Sequence, residues 1–317
     1  MPRPPIWYRS IMEIAAPHLH RFAWISIVAA LITIVLKFAA WWVTDSVGLL
    51  SDALESFVNL VGAIAALVAL WYAAREPDQE HAYGHAKAEY FSSGLEGSLI
   101  LLAAISIIFT SVQRLINPSE VEKAELGVAI AAAAAVVNLI AAKWIQRAGQ
   151  HHNSIALEAG ARHLMTDVFT TIGVIVGVIL IHFTGWSRLD PIIALVVAAN
   201  IVRVGVDLMK RSMMGLLDTA LPPEELGRIQ TVLDRYRQND HIEAHALRTR
   251  QAGQRRFGSV HILVPGSWSV DRGHQLTEQI EGEIREAVPG IMIVTHLESL
   301  DDPRSWDDTE LPSAHAG

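Results

Sequence analysis

In the stretch SDALESFVN, Glu55 and Asn59 stand four residues apart, and in ARHLMTD so do His163 and Asp167. On an α-helix, residues i and i+4 share a face, with Cβ atoms about 5–6 Å apart. Both pairs fall in long apolar runs, where an ionisable side chain is costly and needs a reason. If the two faces meet, they offer carboxylate, amide and imidazole donors around one point. Such a set suits a divalent transition cation, usually held tetrahedrally when it is zinc. The plainer reading is a pair of polar helix faces that hydrogen-bond to each other for packing. Asp52, three residues before Glu55, is taken as a polar neighbour rather than a ligand.

The elements that must hold these pairs are membrane helices. Hydrophobic residue types make up 51% of the 317 residues and charged types 18%, against about 25% charged in soluble domains. A bilayer core needs about 20 mostly apolar residues per helix. Six segments qualify: Phe22–Val43, Gly48–Ala74, Phe91–Ile116, Leu126–Ile145, Ile155–Phe183 and Pro191–Met214. The fourth carries the run AIAAAAAVV, whose small residues suit close helix packing in lipid. The basic, proline-interrupted start has no convincing cleavage site and is expected to lead into the first membrane helix. Arg3, Arg9, Arg21, Arg75, Lys87, Lys143, Arg147, Lys210 and Arg211 fall on one side, and Arg114, Lys123 and Arg188 on the other. By the positive-inside rule both termini are cytoplasmic. Trp41 and Trp42 suit an interfacial belt, while Lys37 snorkels or faces a polar cavity.

The composition changes after LLDTALPPEE. From Asp218 on there are 17 acidic and 10 basic residues, against 16 and 15 before it. Pro222–Arg237 and Val270–Val288 read as helices. His245–Gln251, Phe257–Val264 and Ile291–Leu297 read as strands, the first two around the turn AGQ. The predicted fold class is an α-helical polytopic membrane protein with six transmembrane helices and a C-terminal cytoplasmic α+β, ferredoxin-like (αββαβ) domain. The expected divisions are an N-terminal segment 1–20, a membrane domain 21–216, a cytoplasmic domain 217–300 and a disordered acidic tail 301–317. Strand parity turns His261 away from Val260, Ile262 and Val264, and puts His296 and Glu298 on one face.

There is no cysteine, so thiolate metal sites are excluded, and any metal is held by His, carboxylate, amide or water. No HExxH, GxSxG or Gly-rich phosphate loop is present, which argues against an enzyme and against nucleotide as the driving force. No basic footprint for nucleic acid is visible.

The stretches LKFAAWWVTDSVGLLSDALES, HAYGHAKAE, HLMTD and HALRTRQAGQRRF resemble the cation diffusion facilitator family, over about Phe22 to Leu300. The resemblance implies a homodimeric divalent-metal/proton antiporter in the lipid bilayer, with a transport site at Glu55, Asn59, His163 and Asp167. It implies a second metal at Asp78, His81 and His85 in the loop between the second and third spans. It implies a charge pair between Lys87 and Asp218, and cytoplasmic metal ligands at His245, His261, His274, His296 and Glu298. Glu55 and Asn59 depart from the family pattern, which usually has Asp or His followed by Asp at these positions. No prosthetic group is expected; divalent metal is both substrate and regulator. Zinc is the expected ion, with iron, manganese, cobalt or cadmium as alternatives, and the expected location is a bacterial inner membrane. A metal-gated channel or membrane-bound metal sensor is the competing class. Ligands bind metal in their deprotonated form. Protonation of His163, an imidazole with an ordinary pKa near 6.5, is therefore the expected route to metal release.

Overall fold

The structure, a computed structural model, describes residues 19–44, 47–116, 124–184 and 188–307. They form two compact units that divide between Leu216 and Leu217.

The first unit is built from long helices: α1 (His20–Thr44), α2 (Val47–Ala73), α3 (Ala88–Ile116), α4 (Ala124–His152), α5 (Ile155–Thr184) and α6 (Leu189–Leu216). The shortest has 25 residues, about 37 Å at 1.5 Å per residue, which exceeds a hydrocarbon core of about 30 Å. Among the described residues, three segments are long and apolar enough by themselves to cross a membrane: Arg21–Ala39, Ala88–Ile116 and Pro191–Leu216. The six predicted spans each coincide with one helix. The largest differences are at α4, which continues past Ile145 to His152, and at α3, which begins at Ala88.

Burial in this unit follows the lipid rule. Large apolar side chains point outward, as in Val28, Leu31 and Val35 on α1 and Leu102, Ile105 and Phe109 on α3. The inward faces mix many small residues with buried aliphatics such as Ile100, Ile145, Ile201 and Leu208. Ala23 and Ala29 of α1, Ala141, Ala142 and Ala148 of α4 and Ala156 and Ala161 of α5 form one packed cluster with Leu157 and Leu164. Small side chains let helix backbones approach closely where no hydrophobic effect drives association. Gly97 of α3 shows the same device, since a Cβ there would stand 3.3 Å from the Met209 backbone nitrogen of α6. The helix α5 packs against α1, α2, α3, α4 and α6 and is the hub of the bundle.

The second unit has α7 (Pro223–Asp240), β1 (Glu243–Ala252), β2 (Arg255–Val264), α8 (Val270–Ala287), β3 (Ile291–Ser299) and a 3₁₀ turn, Pro303–Trp306. This is the αββαβ order expected from the sequence. The sheet order is β1-β2-β3, with β1 antiparallel and β3 parallel to β2. The pair Ala252↔Arg255 closes a two-residue hairpin, and Gly253 takes the positive φ of 56° that such a loop requires. The parallel pairing needs a crossover, which α8 supplies. Ser269 caps α8 by accepting from the Arg272 amide at 3.2 Å.

One face of the sheet carries Val260, Ile262, Val264, Ile291 and Ile293, packed on Ile229 and Leu233 of α7 and Leu276, Ile280 and Ile284 of α8. Arg256 makes two 2.8 Å bonds to the Glu225 carboxylate at the rim. The tail expectation is corrected for its first residues. Asp302 caps the 3₁₀ turn, Ser305 is buried, and the Trp306 ring lies edge-on to His245 at 5.8 Å. Residues 1–18 and 308–317, also expected as terminal segments, lie outside the described residues.

Ile280 is fully enclosed in this core. Ile280→Ala is therefore expected to cost about 2–5 kcal/mol, read as a lower urea midpoint for residues 217–307 produced alone. An unchanged midpoint would show that these residues do not form one cooperative core.

Candidate metal centres

Three groups of donors stand out, two in the first unit and one in the second.

The first is inside the bundle. His163 and Asp167 lie one turn apart on α5, His163 buried and Asp167 half-buried. They line a narrow cavity with Ser26, Ala30 and Thr33 of α1, Ala63 of α2, Glu96 of α3, and Gly160 and Leu164 of α5. Its scale is that of about one water-sized guest. The Glu96 Oε2 atom stands 3.8 Å from His163 Nδ1. Asn138 of α4 donates to Asp167 Oδ2 at 3.3 Å, which orients that carboxylate. Lys37 of α1, one helical turn beyond Thr33, is buried. The side chains of Asp52, Glu55 and Asn59 lie outside the described residues. What is described of α2 at this level is Ala63, one helical turn beyond position 59, in the cavity wall.

Glu96 and Asn138 were missed in the sequence. Glu96 interrupts the apolar run of the third span at LEGSLILL, and Asn138 that of the fourth at VVNLI. The rule that singled out the second and fifth spans applies equally to these.

The second group is the loop between α2 and α3. Asp78 Oδ1 accepts from the amides of Glu80 at 3.0 Å and His81 at 2.7 Å, and stands 3.3 Å from His81 Nδ1. Asp78 Oδ2 lies 3.2 Å from His85 Nε2. The three side chains form one group whose donor atoms all lie within 4.8 Å of each other. The His81 amide bond, with the two imidazoles nearby, holds the Asp78 carboxyl below the usual carboxylate range despite slight desolvation. Gly84, with φ 83°, makes the turn that brings His85 back under Tyr72, where it is buried. Nearby, Lys87 donates to the Leu216 carbonyl at 3.4 Å. Asp218, the residue expected to pair with Lys87, belongs to the other unit and there accepts from Arg250 at 3.2 Å.

The third group lies on the sheet face turned away from the helices. The register pairs His245 with His261, and His261 with His296. Three strands thus present imidazoles on one rung, with ring centroids 5.2 and 5.0 Å apart. Glu298 Oε2 reaches His245 Nε2 at 3.2 Å and His261 Nδ1 at 3.4 Å, while Oε1 is 3.5 Å from His296 Nε2. A β-bulge follows His245: Ala246 and Leu247 occupy the space opposite Val260, and Ala246 takes φ 50°. Bulges re-aim side chains beside functional sites, and this one sets His245 over the Glu298 carboxylate. His245, His261 and Glu298 form a metal-compatible group, with donor atoms within 4.8 Å. Two imidazoles and a carboxylate are a donor set suited to zinc. His296 touches that group through Glu298, and its side chain is 67% exposed. His274 is exposed on α8 and is not a member of the group.

Glu298→Gln is expected to weaken zinc binding to this group by more than about tenfold, since loss of even an outer-shell partner costs that much. Calorimetry on residues 217–307 reads the loss, and unchanged affinity would show that Glu298 is not a donor.

The model of the cation efflux transmembrane domain matches residues 23–217, and that of the cation efflux protein cytoplasmic domain matches residues 221–300. A protein from Synechocystis named "Uncharacterized transporter sll1263" is 50% identical over 295 residues, 92% of this chain and 95% of its own. The cation-efflux pump FieF of Shewanella oneidensis is 30% identical, covering 87% of this chain and 92% of its own. FieF of Pectobacterium atrosepticum is 29% identical, covering 90% and 95%. Together with the helical unit, the αββαβ unit and their polar groups, these matches identify the chain as a member of the cation diffusion facilitator family of cation-efflux transporters.

Proposed function

We propose that this divalent-cation efflux protein works as a secondary active exporter. It moves a transition-metal ion, zinc before others, out of the cytoplasm in exchange for protons. The observation that carries the reading is the convergence of His163 and Asp167 on a buried cavity walled by α1, α2, α3 and α5. An imidazole and a carboxylate in a low-dielectric enclosure favour a cation strongly. Glu55 and Asn59 of α2 complete the proposed ligand set.

Exchange follows from the chemistry of the donors. His163 binds metal as a neutral imidazole, so a proton and a metal ion compete for it. Alternating access presents the same donors to the two sides of the membrane in turn. On the more acidic outer side a proton displaces the metal, and on the cytoplasmic side the metal displaces the proton. The proposal puts the protein in a bacterial inner membrane, with both termini on the cytoplasmic side.

The cytoplasmic unit is proposed to sense metal. Zinc at His245, His261 and Glu298, with His296 and His274 as further expected donors, would tighten a homodimer and favour transport. Asp78, His81 and His85 are proposed to hold a second ion in the loop, and Lys87 and Asp218 to fix helix orientation as a charge pair. The zinc assignment rests on this imidazole-rich chemistry. The oxygen-rich membrane site makes iron or manganese the runner-up.

Reconstitution into liposomes with an imposed pH gradient and a panel of divalent ions tests the proposal. Asp167→Ala is expected to lower flux of every transported ion by about 100-fold or more. His163→Gln is expected to abolish the dependence of flux on the pH gradient. Full proton-coupled exchange in His163→Gln would remove His163 as the proton carrier. Flux that ignores the gradient in the unmodified protein would favour the channel reading instead.

A further inference from the structure

We propose that Glu96 is an additional donor of the transport site: a carboxylate brought by α3 that tilts the site toward oxygen-favouring divalent ions. The inference rests on the transport reading above and deepens it.

Glu96, in the third turn of α3, is only 2% exposed. A buried carboxylate inside a membrane bundle needs a cation, a strong hydrogen bond or a proton. Among the described residues no lysine or arginine pairs with it, and its recorded partner is His163. The 3.8 Å separation from His163 Nδ1 is too long for a good hydrogen bond. It matches two donors that share one ion. With metal–ligand bonds of about 2.0–2.2 Å, such donors stand roughly 3.0–4.2 Å apart, depending on the angle at the metal.

The surroundings are shaped around this carboxylate. It opens onto the same cavity as His163, Asp167, Thr33 and Ser26. Gly62 of α2 and Gly160 of α5 flank it, and a Cβ on either would stand 3.6 Å from Glu96 Oε1. Two helices thus approach the carboxylate without a side chain of their own, beside Leu99 and Ser26.

The consequence is selectivity. A site with one imidazole and several oxygen donors moves away from zinc's preferred tetrahedral, nitrogen-containing set. It moves toward ions such as Mn²⁺ that take more oxygen ligands. Glu96 would also supply the negative charge that an amide at position 59 cannot.

Competition flux with Zn²⁺ and Mn²⁺ in proteoliposomes of the full chain tests this, using unmodified protein, Glu96→Gln, Glu96→Asp and Asp167→Ala. Gln preserves shape and one acceptor oxygen and removes the charged metal donor. The expected result is a Mn²⁺:Zn²⁺ transport ratio at least about tenfold lower in Glu96→Gln, partly restored in Glu96→Asp. A ratio unchanged in Glu96→Gln, whether both fluxes persist or fall together, overturns the proposal and leaves a packing role. If Glu96→Gln is not recovered folded, the ratio in Glu96→Asp decides, since a shortened donor must shift it and a packing residue must not. If Asp167→Ala transports normally, the transport reading itself fails, independently of Glu96.

Discussion

A polar group held in hydrocarbon must find its partner inside the protein, because no water is there to serve it. That constraint organises the whole first unit. His163, Asp167, Glu96 and Asn138 sit on three different helices, and each is turned toward the interior. Turning them inward requires helices close enough to touch, and this is what the alanine and glycine faces of α1, α4 and α5 allow. The apolar side chains displaced by this arrangement go outward, where lipid accepts them. The inverted burial of this unit and its polar centre are two consequences of one rule.

The second unit answers a different problem with a different geometry. Here the metal-compatible residues lie on the sheet face away from the helices, largely covered, with the Trp306 ring against His245. Helix geometry unites donors four residues apart in sequence. Sheet geometry unites donors that are distant in sequence but level across strands, as His245, His261 and His296 are. The carboxylate between them comes from the same strand as His296, two residues on, where strand parity returns to the same face. The bulge at Ala246 spends some backbone strain to hold His245 at that level, since a non-glycine residue at φ 50° is disfavoured by about 1–2 kcal/mol.

Much of this was legible in the sequence because periodicity reports which face is buried. The six long helices, the αββαβ order and the outward face of His261 all follow from patterns of apolar residues. What was not legible depends on pairings that pattern alone does not encode. The rung shared by three histidines needs the strand register, including a bulge that shifts it by one residue. His274 sits near these histidines in the sequence order yet lies exposed on α8, because a helix places its residues by rotation rather than by order. The 3₁₀ turn at Pro303–Trp306 was hidden by an acidic, proline-containing composition that reads as disorder. Glu96 was visible as a charge in an apolar run. A lone carboxylate forms no i, i+4 pair on its own helix, so helical spacing gives it no partner to point to.

The proposed donors are spread over several helices, which bears on how an ion would be released. A metal cage built on one rigid segment would hold its geometry whatever the rest of the protein did. Here Glu96 belongs to α3, His163 and Asp167 to α5, and the hydroxyls to α1. Helices slide past one another by about 1–2 Å in ordinary conformational transitions. A shift of that size is comparable to a metal–ligand bond of about 2 Å, so it is enough to take a donor out of coordination. On the proposed reading, binding strength would be tied to helix arrangement, and an ion that favours the assembled state would also favour the packing that assembles it. Because α5 contacts every other helix of the bundle, any rearrangement of those contacts is felt at the donors it carries.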